Sequence, residues 1–281
     1  MRYPGGKNCL FQFVSNLLRE NDLIGTEYVE PYAGGAGLAL RLLIEHKVSK
    51  IYLNDLDEWV YAFWHTILHE KKEFCTWLST VDVQIDTWNK YRNRLSDPTS
   101  LTTFEKAQTF FFLNRTNVSG VLNGGVIGGR TQLGRYKIDA RFNRSALIER
   151  IETIHELRKQ IELTNQDGTD FLRHINSKQQ KVFIYIDPPY VVKGHRLYSH
   201  YFKKADHEQL AAAIRKLHQP WLVSYDNCDL IHGLYPEYKR ISYQLAQGTS
   251  NRIGEELVIV SNDLVCHDSL AALKSPTIAN Q

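Results

Sequence analysis

The chain has 281 residues, 43% of them apolar, enough for one large α/β domain with a sizeable insertion. No apolar run approaches the roughly 20 residues that span a bilayer, and the amino terminus has neither the apolar core nor the cleavage site of a secretory leader. The net charge of +3 excludes little, and Cys9, Cys75, Cys228 and Cys266 are too scattered for a metal site, so a cytoplasmic protein with reduced thiols and no metal is expected.

In chain order, Leu10, Phe13, Val14, Leu17 and Leu18 fall at helical spacing over 8–20. Tyr28-Val29-Glu30 reads as a short strand, ended by Pro31 and followed by Gly34, Gly35 and Gly37; a helix over 38–46 comes next. Residues 50–55 form a second strand closing on Asn54 and Asp55. A helix over 59–68 sets Trp59, Phe63 and Ile67 in one row and Val60, Trp64 and Leu68 in the next, aromatics best read as core. Residues 119–134, rich in Gly and Asn, read as an inserted loop or hairpin. The strand over 181–186 is a continuous apolar run, the pattern of a strand buried on both faces of a parallel sheet. Pro188 and Pro189 end it, because proline cannot donate to a ladder. A helix over 207–218 and strands over 221–225 and 257–260 complete the pattern.

Strands alternate with helices on both sides of the middle, which predicts an α/β fold with a doubly wound, mostly parallel Rossmann-like sheet. The sheet domain is expected at 1–55 and 151–281, with 56–150 an inserted helical and hairpin module displayed for recognition. The charge pattern supports that division. Between Lys106 and Arg150 stand Lys106, Arg115, Arg130, Arg135, Lys137, Arg141, Arg144 and Arg150 against only Asp139 and Glu149. Lys193, Arg196, Lys203 and Lys204 form a second basic stretch without acids. Such segments suit a polyanion partner, although a solvated surface gives the same pattern.

Glu30 to Gly37 follows a strand and opens a helix, where glycines admit a ligand to the backbone and to unpaired helix amides. The spacing is not GxGxxG and no GK[ST] follows, which disfavours a triphosphate cradle. Asp55, ending the next strand about 20 residues on, is placed either to take the two hydroxyls of a ribose or to cap the following helix.

Asp187-Pro188-Pro189-Tyr190 carries more. An exocyclic amine has its lone pair delocalised into its ring, so to react it needs acceptors that hold both N–H protons while the nitrogen pyramidalises. A carboxylate and a backbone carbonyl fixed by two rigid prolines supply those acceptors, and the tyrosine supplies a stacking face. Asp187 then orients the amine and stabilises positive charge; it need not be a strong base.

Taken together, Tyr3-Pro4-Gly5-Gly6-Lys7, Glu30 to Gly37, Leu53 to Asp55, Phe112 to Asn117, Gly134 to Lys137 and Asp187 to Tyr190 make the chain resemble the Dam-type, D12-class DNA adenine-N6 methyltransferases. The collinear likeness runs from residue 1 to about 260 of the sequence. It implies S-adenosyl-L-methionine as methyl donor, double-stranded DNA as substrate, N6 of a flipped adenine as acceptor, and a monomer or weak dimer. It places Tyr3 and Lys7 in the segment that closes over the cofactor, with Tyr3 where the family more often has Trp. Glu30 and Gly34 match the cofactor loop, Asp55 the ribose acid, and Asp167 or Asp170 the neighbourhood of the cofactor adenine. Asp187, Pro188 and Tyr190 match the catalytic motif, with Asp187 also beside the methionine end of the cofactor and Tyr190 stacking on the base.

The insertion then reads as the target-recognition domain. Asn114, Arg115 and Asn117 are expected on phosphates or bases, Arg130 on a guanine edge or a phosphate, and Arg135 and Lys137 on the DNA backbone. The basic loop after Tyr190, with Tyr198, Tyr201 and Phe202, is expected over the displaced base. Two rival readings are methylation of another planar amine, in RNA or protein, and a DNA-binding relative without activity. Asn is common where this chain has Asp187 in the first class, and the intact loop and motif argue against the second.

Overall fold

The structure, a computed structural model, describes residues 6–178, 181–191, 202–246 and 253–279. Eight strands occupy one sheet in the order β3-β2-β1-β4-β5-β7-β6-β8. They are β1 (Glu27–Glu30), β2 (Lys50–Asn54), β3 (Ile161–Thr164), β4 (Val182–Ile186), β5 (Trp221–Asp226), β6 (Lys239–Ala246), β7 (Ile253–Val260) and β8 (Thr277–Ala279). Strands β2, β1, β4 and β5 are mutually parallel; β7, β6 and β8 are antiparallel additions. The expected α/β sheet with a parallel core is present, but it is mixed: three of the described strand pairings are parallel and three antiparallel, where one late strand was expected on that flank.

Contacts divide the chain into two units: Lys7–Asp55 with Gln166–Gln281, and Leu56–Asn165. In the first, α1 (Phe11–Glu20), α2 (Gly37–Ile44), α8 (Gly168–Ser177), α9 (Lys204–Ile214) and α10 (Asp229–Leu234) accompany the sheet. Every residue of β4 and β5 is buried, which is why β4 reads as an unbroken apolar run.

The second unit holds α3 (Glu58–His69), α4 (Lys71–Thr80), α5 (Ile85–Asn93), α6 (Thr103–Thr116) and α7 (Arg144–Glu156). It extends to residue 165, beyond the expected boundary at 150, because α7 packs on α3 and α4. Helix α3 starts at Asp57, whose side chain accepts from the Trp59 amide at 2.9 Å. Its aromatics are core: the rings of Phe63 and Phe111 stack at 5.4 Å, and Trp64 is buried. Of the loop or hairpin expected over 119–134, the structure has a loop, with one isolated bridge at its start, Asn117 to Val126. Gly128, at φ +84°, is required within it, since a Cβ there would meet the Tyr136 carbonyl oxygen at 2.5 Å.

Candidate active site

The first unit's parallel strands fix where a ligand can sit. Strands β1 and β4 are neighbours, with β2 beyond β1 and β5 beyond β4, so the sheet order reverses between them. Ligands of such sheets bind outside the carboxyl ends of the strands at that reversal. The loop after β1 is Glu30 to Gly37, and the segment after β4 is Asp187 to Tyr190.

The β1 loop is tightly organised. Gly34 lies at φ +45° and its N–H donates to Oδ2 of Asp55 at 2.7 Å. Ala36, also left-handed at φ 44°, opens α2. The Asn54 side chain, fully buried, donates to the carbonyls of Pro31 at 3.0 Å and Gln166 at 2.9 Å, and accepts from the Gln166 amide at 2.9 Å. The ends of β1 and β2 and the approach to α8 are thereby tied together. Asp55 does not cap α3, a role Asp57 takes, so its carboxylate serves the glycine loop. Asp167 caps α8, accepting from Thr169 at 2.9 Å and Asp170 at 3.2 Å, while Asp170 itself is exposed and pairs with Arg173. Gly168 must be glycine, because a Cβ would meet the Tyr32 ring at 2.4 Å.

Around Asp187 the groups form one chain. Ser224 Oγ on β5 donates to Asp187 Oδ1 at 2.7 Å. Because its proton is used there, the Tyr185 hydroxyl 2.8 Å away is the donor to Ser224. The Lys7 ammonium, 3.3 Å from the same Oδ1, lies 3.3 Å from Glu256 Oε2 on β7 and donates to the Tyr190 hydroxyl. Tyr243 donates to the same Glu256 oxygen at 2.9 Å. All these contacts on Asp187 fall on Oδ1; Oδ2 accepts from none of the described residues. Burial raises the Asp187 pKa, with Lys7 and Ser224 opposing. Burial alone would lower that of Lys7, but Asp187 and Glu256 outweigh it and hold the amine charged.

Glu30 ends β1 beside this chain. It is buried, accepts from the Tyr28 hydroxyl at 2.8 Å, and is pushed up to about 8 by burial and then by the Asp187 charge, against the Tyr28 bond. Asp226 Oδ1 accepts from the Val191 amide at 3.0 Å, anchoring the chain just past Tyr190.

Of the residues expected at the site, Glu30, Gly34, Asp55, Asp187, Pro188 and Tyr190 lie at or just past the ends of β1, β2 and β4, and Lys7, in the one-turn helix Lys7–Leu10, contacts Asp187 and Tyr190. Tyr3 and the basic loop residues 192–201 lie outside the described residues. Tyr190 is buried, and its hydroxyl accepts from Lys7. Glu256, Tyr243 and Tyr185 were missed, and Ser224 was not read as a partner of Asp187. No local motif marks them; Tyr185 joins the chain at Asp187 through Ser224, and Glu256 and Tyr243 join it through Lys7, because β4, β5, β7 and β6 are successive strands.

In the second unit, Asn114 and Asn117 are buried, which departs from the expected contact with DNA. Asn114 donates to the Gly120 carbonyl at 3.0 Å. Asn117 donates to Val121 and Leu122, each at 2.9 Å, and accepts from Trp88 Nε1 at 2.7 Å. With exposures of 1% and 0%, they hold the loop and offer no surface to a ligand. Arg115 spends its guanidinium on the Arg141 carbonyl. Arg130, Arg135 and Lys137 are exposed, with Arg130 5.8 Å from the Trp88 ring centre and Lys137 donating to the Gln132 carbonyl. Among the described residues, no helix is long and apolar enough to cross a membrane, and no group of three His, Cys, Asp or Glu is placed to hold a metal ion.

The family model for the D12 class N6 adenine-specific DNA methyltransferases matches residues 3–247. The chain is 23% identical over 243 residues to the Type II methyltransferase M.MjaIII of Methanocaldococcus jannaschii, covering 77% of this chain and 79% of that one. Among solved structures, the rRNA methyltransferase aviRa of Streptomyces viridochromogenes aligns at a TM-score of 0.42 and 14% identity, over 96% of this chain and 89% of that one. The methylase HI0767 of Haemophilus influenzae aligns at 0.35 and 13%, over 90% and 94%. Neither structural likeness is close enough to weigh in the functional reading.

Proposed function

Since the chain belongs to the D12 class of N6 adenine-specific DNA methyltransferases, we propose that its methyl donor is S-adenosyl-L-methionine and its acceptor is N6 of an adenine turned out of double-stranded DNA. The observation that carries the reading is the arrangement at Asp187. One carboxylate oxygen is fixed by Ser224 and Lys7, while Oδ2 remains for a substrate N–H.

The residues at the reversal fit the donor. It is positively charged at its sulfonium and ammonium and carries two ribose hydroxyls. Three carboxylates stand at adjacent strand ends: Glu30 on β1, Asp55 after β2 and Asp187 after β4. Glu30 is held neutral by burial and would gain from a cation beside it. When bound, S-adenosyl-L-methionine supplies an electrophilic methyl group. Asp187 and Glu30 are assigned to its methionine end, Asp55 to its ribose, and Asp167 to the side of its adenine.

Asp187 Oδ2 and the Pro188 carbonyl accept the two amine protons, drawing the lone pair out of the ring as the nitrogen pyramidalises. Positive charge growing on that nitrogen is met by the largely buried carboxylate with little solvent reorganisation. The acceptor proton becomes acidic only as the N–C bond forms, and Asp187, raised by burial, is placed to hold it. Tyr190 is assigned to the face of the base, and Arg130, Arg135 and Lys137 to the DNA.

Incubating the purified protein with radiolabelled donor and duplex DNA, RNA or protein tests this directly, with digestion to nucleosides and mass spectrometry. N6-methyladenine from duplex DNA is expected. Label in RNA or protein alone would replace the reading, and no transfer to DNA with cofactor binding retained would overturn it.

A further inference from the structure

Lys7 has two acidic partners, and only one belongs to the motif that carries the chemistry. Glu256 lies on β7, paired with Asp226 of β5 on one side and Tyr243 of β6 on the other. Its Oε2 is 3.3 Å from the Lys7 ammonium and accepts from Tyr243 at 2.9 Å. The side chains of Lys7, Asp187 and Glu256 are 4%, 20% and 13% exposed. Three formal charges are thus gathered where water screens them little.

Resting on the reading that Asp187 receives the target amine, we propose that Glu256 is a positioning residue for methyl transfer, holding Lys7 between two carboxylates so that the lysine does not neutralise Asp187. The charge count gives the reason. Lys7 and Asp187 alone would form a closed pair of net charge zero, leaving the amine to compete with the ammonium for the carboxylate. With Glu256 the cluster is net −1, the sign that complements both a cationic methyl donor and the cation developing on nitrogen. The geometry agrees. The ammonium is equidistant from the two acids, and Tyr243 donates to the Glu256 oxygen that faces it. Lys7 also donates to the Tyr190 hydroxyl, so a displaced ammonium would release the ring as well.

The test is Glu256→Gln, which keeps the shape and removes the charge, with Glu256→Asp as the conservative variant. By analogy with the outer partners of metal ligands, whose loss typically matters by about 10- to 100-fold, kcat should fall by about that factor for Gln, with KM for DNA and donor within about threefold, and Asp should restore part of it. Removing the negative neighbour lowers the Asp187 pKa, so the acid limb of the pH–kcat profile should move to lower pH. In the ligand-free protein, a lysine side-chain NMR titration should show Lys7 deprotonating at lower pH in the Gln variant. That readout stands even if the acceptor is not DNA adenine, a question the wild-type assay answers separately. Wild-type kcat and pH profile in Glu256→Gln would overturn the proposal. So would a loss of activity tracking a lower melting temperature, with both the acid limb and the Lys7 titration unmoved.

Discussion

Ser224 Oγ donates to Asp187 Oδ1 at 2.7 Å, across from β5 to the end of β4. The bond stabilises the ionised carboxylate and occupies its Oδ1. Ser224→Ala should therefore raise the Asp187 pKa further, moving the acid limb of the pH–kcat profile upward, and lower kcat about tenfold at neutral pH. The sign is opposite to that expected for Glu256→Gln. An unmoved limb in a folded Ser224→Ala protein would remove the serine from the account.

Asp187→Ala should abolish methyl transfer while leaving DNA affinity largely intact, because the phosphate contacts are assigned to exposed cations of the other unit. The protein should also stay folded, since Lys7 keeps Glu256 as a partner. Turnover within tenfold of wild type, measured with labelled donor, would contradict the role assigned to Asp187.

How much of this was legible in the sequence follows from distance along the chain. Asp187 to Tyr190 and Glu30 to Gly37 are contiguous, and a buried strand before each makes its place at a strand end readable. Ser224, Tyr243 and Glu256 contact the site only through strand order, which single-residue patterns do not encode. Asn117 failed for another reason. A polar residue in a basic, Gly-rich stretch reads as a ligand contact, yet the turns of that loop leave carbonyls that need a buried donor. Arg115 is spent the same way on Arg141.

Glu30 should make stability and cofactor binding depend on pH. Its folded pKa of about 8 lies above the ordinary 4.5, so the folded state binds the extra proton between those values. Stability is then fullest below about pH 4.5 and declines as pH rises toward 8, by at most about 4–5 kcal/mol for this group. Glu30→Gln should remove that decline, and urea unfolding at pH 5, 7 and 9 will show whether it does. Parallel pH dependences for the two proteins would contradict it. If a cationic donor sits beside Glu30, its binding near pH 7 should release protons, visible as a buffer-dependent heat by titration calorimetry.

Asn117→Ala should act on the fold first. It strips Trp88 Nε1 of its acceptor and the Val121 and Leu122 carbonyls of their donor, costing about 1–3 kcal/mol for the buried groups left unsatisfied. DNA affinity should fall by a similar factor on every sequence, as the loop loses its shape. Unchanged thermal stability together with weakened DNA binding would instead mark Asn117 as a direct contact.

Arg130 differs from Asn117 in being exposed, its guanidinium 5.8 Å from the Trp88 ring whose indole nitrogen holds Asn117. If that ring restricts where the arginine points, the side chain is suited to reading a base edge. Arg130→Ala should therefore relax preference at one base pair, by about 1–3 kcal/mol for a bidentate contact with guanine. The check is binding to a set of duplexes with single substitutions, repeated over a range of salt. A uniform loss with a salt slope shallower by about one would make Arg130 a phosphate contact instead. Trp88→Leu separates the two outcomes further. If the ring aims the arginine at a base, discrimination at that position should weaken while the salt slope stays as it was.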